Sequence, residues 1–167
     1  MKKTVAQCFV LTLLLFISCI RISDEGILKN IDKIWNPKLV DIFVAYRGTN
    51  WLDGTDTYII GKARGDVPHY FVDYSYFTGQ VDVIENEQIK KTRAGDFFSK
   101  QEIADIIKFF KKARVFLLSI DSLGNMRIRI NKNDCIEYLK VVDSPANHKR
   151  IVKKMYGNWY IAEAMHF

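Results

Sequence analysis

A capped amphipathic helix stands between two groups of short β-rich runs, and this order constrains the fold more than any other feature of the chain. Ser99 is placed to cap the helix, and Glu102, three residues on, completes a capping box. Phe98 and Ile103 stand where a hydrophobic staple would close around it. Ile103, Ile106, Ile107 and Phe110 then share one face, with Lys100, Asp105, Lys108, Lys111 and Lys112 largely opposite. Such a helix needs an apolar surface to lie on, and the runs on either side of it supply a sheet.

The first group of runs comprises Leu39 to Tyr46, Thr57 to Lys62, Tyr70 to Tyr76 and Gln80 to Ile84. Asp53-Gly54, Gly65-Asp66 and Thr78-Gly79 separate them with turn chemistry, because Gly reaches positive φ at little cost and Asp bonds its own backbone. The second group is Val115 to Ile120, Met126 to Ile130 and Ile136 to Val142. In it Met126, Ile128 and Ile130 alternate with Arg127 and Arg129, which predicts one buried and one basic face. At the start, Ile27, Ile31 and Ile34 have helical spacing, giving a short first helix from about Gly26 that Asn36-Pro37 ends. Ser144-Pro145 reads as a cap followed by Pro at the first helical position, predicting a helix that runs to Tyr156 and stops at Gly157. Trp159 to Phe167 then finishes as a strand paired into the sheet.

Runs of strands separated by single helices, without βαβ alternation, give an α+β class. The expected fold is a mostly antiparallel sheet with one main amphipathic helix and short terminal helices. The chain has 167 residues, 49% of them hydrophobic and only three of them Pro, so it is the size of one domain and too apolar to stay disordered. No internal repeat or linker is apparent.

The first nineteen residues have a different character. Lys2 and Lys3 precede the apolar run Phe9 to Ile17, which is too short for a spanning helix and has the pattern of an export signal. Phe16-Ile17-Ser18-Cys19 resembles the lipobox of bacterial lipoproteins, with Phe16 where Leu is usual. Ser23-Asp24-Glu25 looks like the acidic export tag of surface lipoproteins in Bacteroides-like bacteria. The resemblance implies a signal peptide over residues 1–18, acyl chains such as palmitate on Cys19, a lipidated tether over 19–25, and a single domain over 26–167. It also implies a bacterial envelope location at the outer membrane, on its periplasmic or surface face.

Cysteine usage agrees with that reading. Cys8 leaves with the signal and Cys19 takes the lipid, so the exported domain keeps only Cys135 and forms no internal disulfide. Cys135, beside Ile136 in a strand-like run, reads as a small buried hydrophobe. Losing Lys2 and Lys3 and no acid brings the net charge from +6 to +4, too modest an excess to imply nucleic acid.

No strong catalytic motif is present: the chain has no Gly-x-Ser-x-Gly elbow, no His-Glu-x-x-His, no Cys-x-x-Cys and no phosphate-binding glycine loop. His69, His148 and His166 share no ligand spacing, so neither a metal nor another cofactor is implied. His69, Asp73 and Ser75 share a strand face, yet side chains two apart on a strand stand about 7 Å from each other, too far for a working triad. Asn50, Asp53 and Asp56 crowd a loop without the spacing of a calcium loop, and Arg64-Gly65-Asp66 reads as a turn.

Two surface candidates remain. The aromatic residues Trp51, Tyr58, Tyr70, Tyr74 and Tyr76 gather around the first strands, where an uncovered strand face would make a flat binding surface and a covered one would be core. Lys149, Arg150, Lys153 and Lys154 line the expected last helix, and Lys108, Lys111, Lys112, Arg127 and Arg129 would extend a positive field if they fell on one side. The expected function is a lipid-anchored envelope binding protein with a protein partner, such as an immunity-type protein that covers a toxin. The alternatives are a carbohydrate or small-ligand binding lipoprotein with Trp51 and Tyr58 in an exposed cleft, a subunit of an envelope assembly, and a hydrolase using His69 or Cys135.

Overall fold

The structure, a computed structural model, describes residues 23–63, 68–91, 95–133, 136–148 and 150–163. Cys19, Cys135, His166, Lys149 and the Arg64-Gly65-Asp66 turn lie outside the described residues. Among the described residues nine strands form one open antiparallel sheet, accompanied by a few helices.

Helix α1 spans Asp24–Ile34, two residues earlier than the apolar spacing predicted, because Ser23 caps it by accepting from the Gly26 amide at 3.2 Å. Strands β1 (Ile42–Asn50), β2 (Thr55–Gly61), β3 (Tyr70–Ser75) and β4 (Gln80–Glu85) follow as a meander. Helix α2 (Glu87–Lys91), a single turn with Ile89 buried, escaped the sequence reading. Helix α3 (Lys100–Ala113) carries the expected capping box, with the Glu102 amide donating to Ser99 Oγ and the Ser99 amide to Glu102 Oε2. Ser99→Ala removes half of that box and is expected to destabilise the protein by about 1 kcal/mol, measured by urea unfolding. Phe98 and Ile103 are both buried, as a staple requires.

The second half contains β5 (Leu117–Ile120), β6 (Met126–Arg129), β7 (Ile136–Lys140), β8 (Ile151–Tyr156) and β9 (Trp159–Glu163). The expected helix from Ser144 to Tyr156 does not form. Only Pro145–Asn147 make a 3-10 turn, and Ile151–Tyr156 is a strand. The β-branched pair Ile151-Val152 and the turn at Gly157-Asn158 favour a hairpin with Trp159-Tyr160-Ile161, and that pairing overrides the helical spacing of the basic residues.

The sheet order is β4-β3-β2-β1-β5-β6-β7-β9-β8. Strands β1 and β5 meet at its centre, antiparallel, with Val44 opposite Leu118. The chain therefore lays down a helix followed by antiparallel strands twice, outward from one central pair except that β9 inserts between β7 and β8, although the sequence shows no repeat. The helix-facing side of the sheet carries Val44, Ile60, Val72, Leu118 and Ile128, all fully buried in one cluster with Leu28, Ile31, Ile103 and Ile107. Helices α1 and α3 lie side by side over this face, joined where Asn30 Nδ2 donates to the Lys112 carbonyl at 2.9 Å. No described helix is long and apolar enough to cross a membrane.

Candidate functional site: the helix-free face of the sheet

Period-two geometry puts a second set of side chains on the face that no described helix covers. The strand register aligns them into rows. One row runs Phe71, Ile59, Ala45, Leu117, Arg129, with Ile59 opposite Phe71 and Ala45 opposite both Ile59 and Leu117. It continues to Glu137, which Arg129 Nη2 reaches at 2.9 Å, and ends at Ala162. The adjacent row runs Gly61, Phe43, Ser119, Arg127, Leu139, Tyr160, Lys154. Apart from Ser119 both rows are apolar over the first half of the sheet, and over the second they mix charged side chains and Tyr160 with Leu139 and Ala162. Phe43, Ala45, Ile59 and Phe71 are all only half-buried.

The charged half is built around one buried acid. Glu137 is 1% exposed and holds both Arg129 at 2.9 Å and Arg127 Nε at 3.4 Å. A carboxylate taken out of water needs such partners, since its desolvation otherwise exceeds any local gain. Glu137 thereby fixes two guanidinium groups on the helix-free face.

The connection from β7 to β8 adds a wall. Both strands are antiparallel to β9, so they run parallel to each other and the chain between them must return along the sheet. It returns over the helix-free face: Asn147, His148 and Arg150 from this segment enclose, with Arg127, Glu137 and Leu139, a cavity of about 310 Å³. Leu139, Val141 and Ala162 form a small apolar cluster of their own, with Ile151 and Tyr160 packed against it. Hydrogen bonds from Asn147 Nδ2 and His148 Nε2 hold the Asp143 carboxyl down at about 2 and tie the segment together.

The residues singled out from sequence are dispersed. Tyr58 and Tyr70 are core residues, with the Tyr58 hydroxyl donating to Asp56 and burial, ahead of that carboxylate, raising its pKa. Tyr74 is half-buried beneath the Lys111 ammonium, 4.3 Å from its ring centroid. Trp51 and Tyr76 stand outside, on hairpin turns, so Trp51 and Tyr58 do not share a cleft. Arg150, Lys153 and Lys154 are exposed, but on or beside edge strand β8 instead of a helix, where lysines discourage pairing with another chain. Lys108, Lys111 and Lys112 ride on α3, on the opposite side of the sheet from Arg127 and Arg129, so no single positive field forms.

The triad-like set is likewise occupied elsewhere. Thr57 donates to Asp73 at 2.6 Å, the Thr78 amide donates to Ser75, and the His69 ring stands edge-on to Phe43, filling the space a Cβ on Gly61 would need. Burial lowers the His69 pKa. Asn50 bonds Asp53 and Asp56 bonds Thr49 and Lys111, which accounts for the acidic loop. Among the described residues no group of His, Cys, Asp and Glu has the arrangement of a metal site. Comparison with family models, curated proteins and solved structures gives no match, so the assignment of the site rests on its geometry.

The signal that could have exposed the Glu137 cluster is the β6–β7 hairpin itself. Folding the chain about residue 133 sets Arg129 opposite Glu137, and a strand acid facing two arginines needs no tertiary knowledge to pair.

Proposed function

We propose that this chain is a lipid-anchored envelope binding protein, an α+β module with α3 as its main amphipathic helix, which takes a protein partner on its helix-free sheet face. The supporting observation is the composition of that face: half-buried Phe43, Ile59 and Phe71 share it with the arginines held by Glu137, two to four strands away. Aromatic side chains and Arg on one surface are what protein interfaces enrich. The arginines favour a partner with an acidic patch, as an immunity-type protein would meet on a toxin. The anchor on Cys19 is supported by the lipobox-like Phe16-Ile17-Ser18-Cys19 and places the module at the bacterial outer membrane.

The test is a crosslinked pull-down of the full chain from envelope and secreted fractions, read by mass spectrometry. One stoichiometric partner is expected, and Phe71→Asp should weaken its binding by about 30-fold, the loss of one hot spot of about 2 kcal/mol. Retention of the partner at unchanged affinity by that variant, folded by circular dichroism, would remove the sheet face as the site. The cavity of about 310 Å³ beside Arg127, His148 and Arg150 favours a small-ligand reading as the second choice. That reading predicts no protein partner and a thermal shift with small anionic sugars that Arg150→Ala abolishes.

A further inference from the structure

Among the described residues, an exposed group of large apolar side chains lies away from the sheet faces, at one end of the strands. The turn over residues 51–54 joins β1 to β2 and the turn over 76–79 joins β3 to β4, at the same edge of the sheet. The two turns are fastened to each other, with the Tyr76 amide donating to the Gly54 carbonyl at 3.1 Å. Gly54 has φ +65°, and a Cβ there would come within 2.0 Å of the Phe77 ring, so the approach depends on glycine. Four large side chains project from this pair of turns. Trp51 is 81% exposed, Leu52 96%, Phe77 81% and Tyr76 37%, and the rings of Trp51 and Tyr76 lie 6.5 Å apart. A soluble chain gains nothing from holding such side chains together in water.

The N-terminal helix points to what they face. Helix α3 runs down toward this end, and Lys111 in its last turn reaches Asp56 at 3.2 Å, one residue into β2. Helix α1 runs the opposite way beside it, and its first turn, at Gly26 and Ile27, flanks Lys111, Lys112 and Arg114. The start of α1 and the two aromatic turns therefore sit at the same end of the molecule. Lys112 and Arg114, both exposed, add positive charge there.

We propose that the Trp51, Leu52, Tyr76 and Phe77 turns are a second membrane contact, inserted into the interface of the bilayer that holds the lipid on Cys19. The proposal rests on the lipid-anchor reading. Three residues, 20–22, separate the acylated position from Ser23, so even a fully extended chain puts the two no more than about 14 Å apart. So short a tether keeps the α1 end of the molecule against the headgroups. Trp and Tyr are enriched at that level of a bilayer, where an apolar ring and a polar tip are both satisfied, and Leu and Phe reach below it. Lys112 and Arg114 then meet the phosphates. The strands stand away from the membrane plane, and the helix-free face stays open to a partner.

The experiment places the exported, processed full chain in vesicles of phosphatidylethanolamine and phosphatidylglycerol, with and without brominated acyl chains. Trp51 emission is isolated by subtracting the spectrum of the Trp51→Phe variant, which leaves the signals of Trp35 and Trp159 unchanged. Mass spectrometry of the same sample reports whether Cys19 is acylated. An acylated chain whose Trp51 emission is lost to bromolipid supports the proposal. An acylated chain with unquenched Trp51 overturns it and gives the turns to a protein partner. Quenching without acylation overturns the lipid-anchor reading and leaves the turns as the membrane contact, whereas neither acylation nor quenching overturns both.

Discussion

Glu137→Ala is expected to destabilise the protein by about 3–5 kcal/mol, because it withdraws the carboxylate shared by two arginines that strand pairing keeps on the sheet. That is about a fifth or more of the ~5–15 kcal/mol by which a domain of this size is stable. The penalty comes from the arginines left behind. Arg129 has 15% of its side chain exposed and cannot recover its hydration without moving, whereas Arg127, at 34%, can turn toward water. The double variant Glu137→Leu with Arg129→Met removes the charge on both sides of the closer pair and fills similar volume. It is expected to recover most of the loss, since a buried ion pair and its apolar replacement are often close in stability. Urea midpoints for the wild type, Glu137→Leu, Arg129→Met and the double give the coupling directly. Additive losses would mean that Glu137 and Arg129 do not act as a pair. The same double variant removes charge from the proposed binding face, so it separates stability from recognition: a folded chain that no longer holds its partner would show that the arginines are read by that partner.

What could be read from the sequence follows a physical boundary. Local chemistry was sufficient where neighbours in sequence decide the structure. Ser99 and Glu102 fixed the start of α3, Asp53-Gly54 and Thr78-Gly79 placed two hairpin turns, and alternation around Arg127 and Arg129 gave β6 its two faces. It failed where a distant partner decides. Arg150, Lys153 and Lys154 have the spacing of a helix face, but the strand Trp159–Glu163 begins five to nine residues on and β8 pairs with it. The sheet order is non-local at two junctions: β1 finds β5 across the whole of the first meander and α3, and β9 inserts between β7 and β8. That insertion creates the return segment and its cavity, neither of which any local pattern encodes. The aromatic residues show the same limit. Tyr58, Tyr70 and Trp51 are alike as composition, and only the helix layer makes the first two core while the third stays outside.

Trp159→Ala is the second large expected effect, about 3–5 kcal/mol, and it tests how α1 is held to the second half of the sheet. Trp159 is fully buried, and its indole Nε1 donates to Asp32 of α1 at 3.0 Å. Lys140 Nζ reaches the same carboxylate at 2.6 Å, and the Tyr156 hydroxyl donates to it as well. Burial alone would raise the Asp32 pKa, but the hydrogen bonds from Lys140, Tyr156 and Trp159 outweigh it and the net direction is down. A carboxyl lowered in the folded state stabilises the fold above its unfolded pKa of about 4, and that contribution fades as pH falls through the folded value. Trp159→Phe keeps the ring and removes one donor, so it should cost about 1 kcal/mol and shift the acid end of the stability profile upward. Trp159→Ala removes the packing too, and hydrogen exchange should then show α1 opening before the central strands. Equal protection of α1 and β1 in Trp159→Ala would mean that the helix is held by Leu28 and Ile31 against α3 and the sheet, with the Asp32 cluster only decorating its edge.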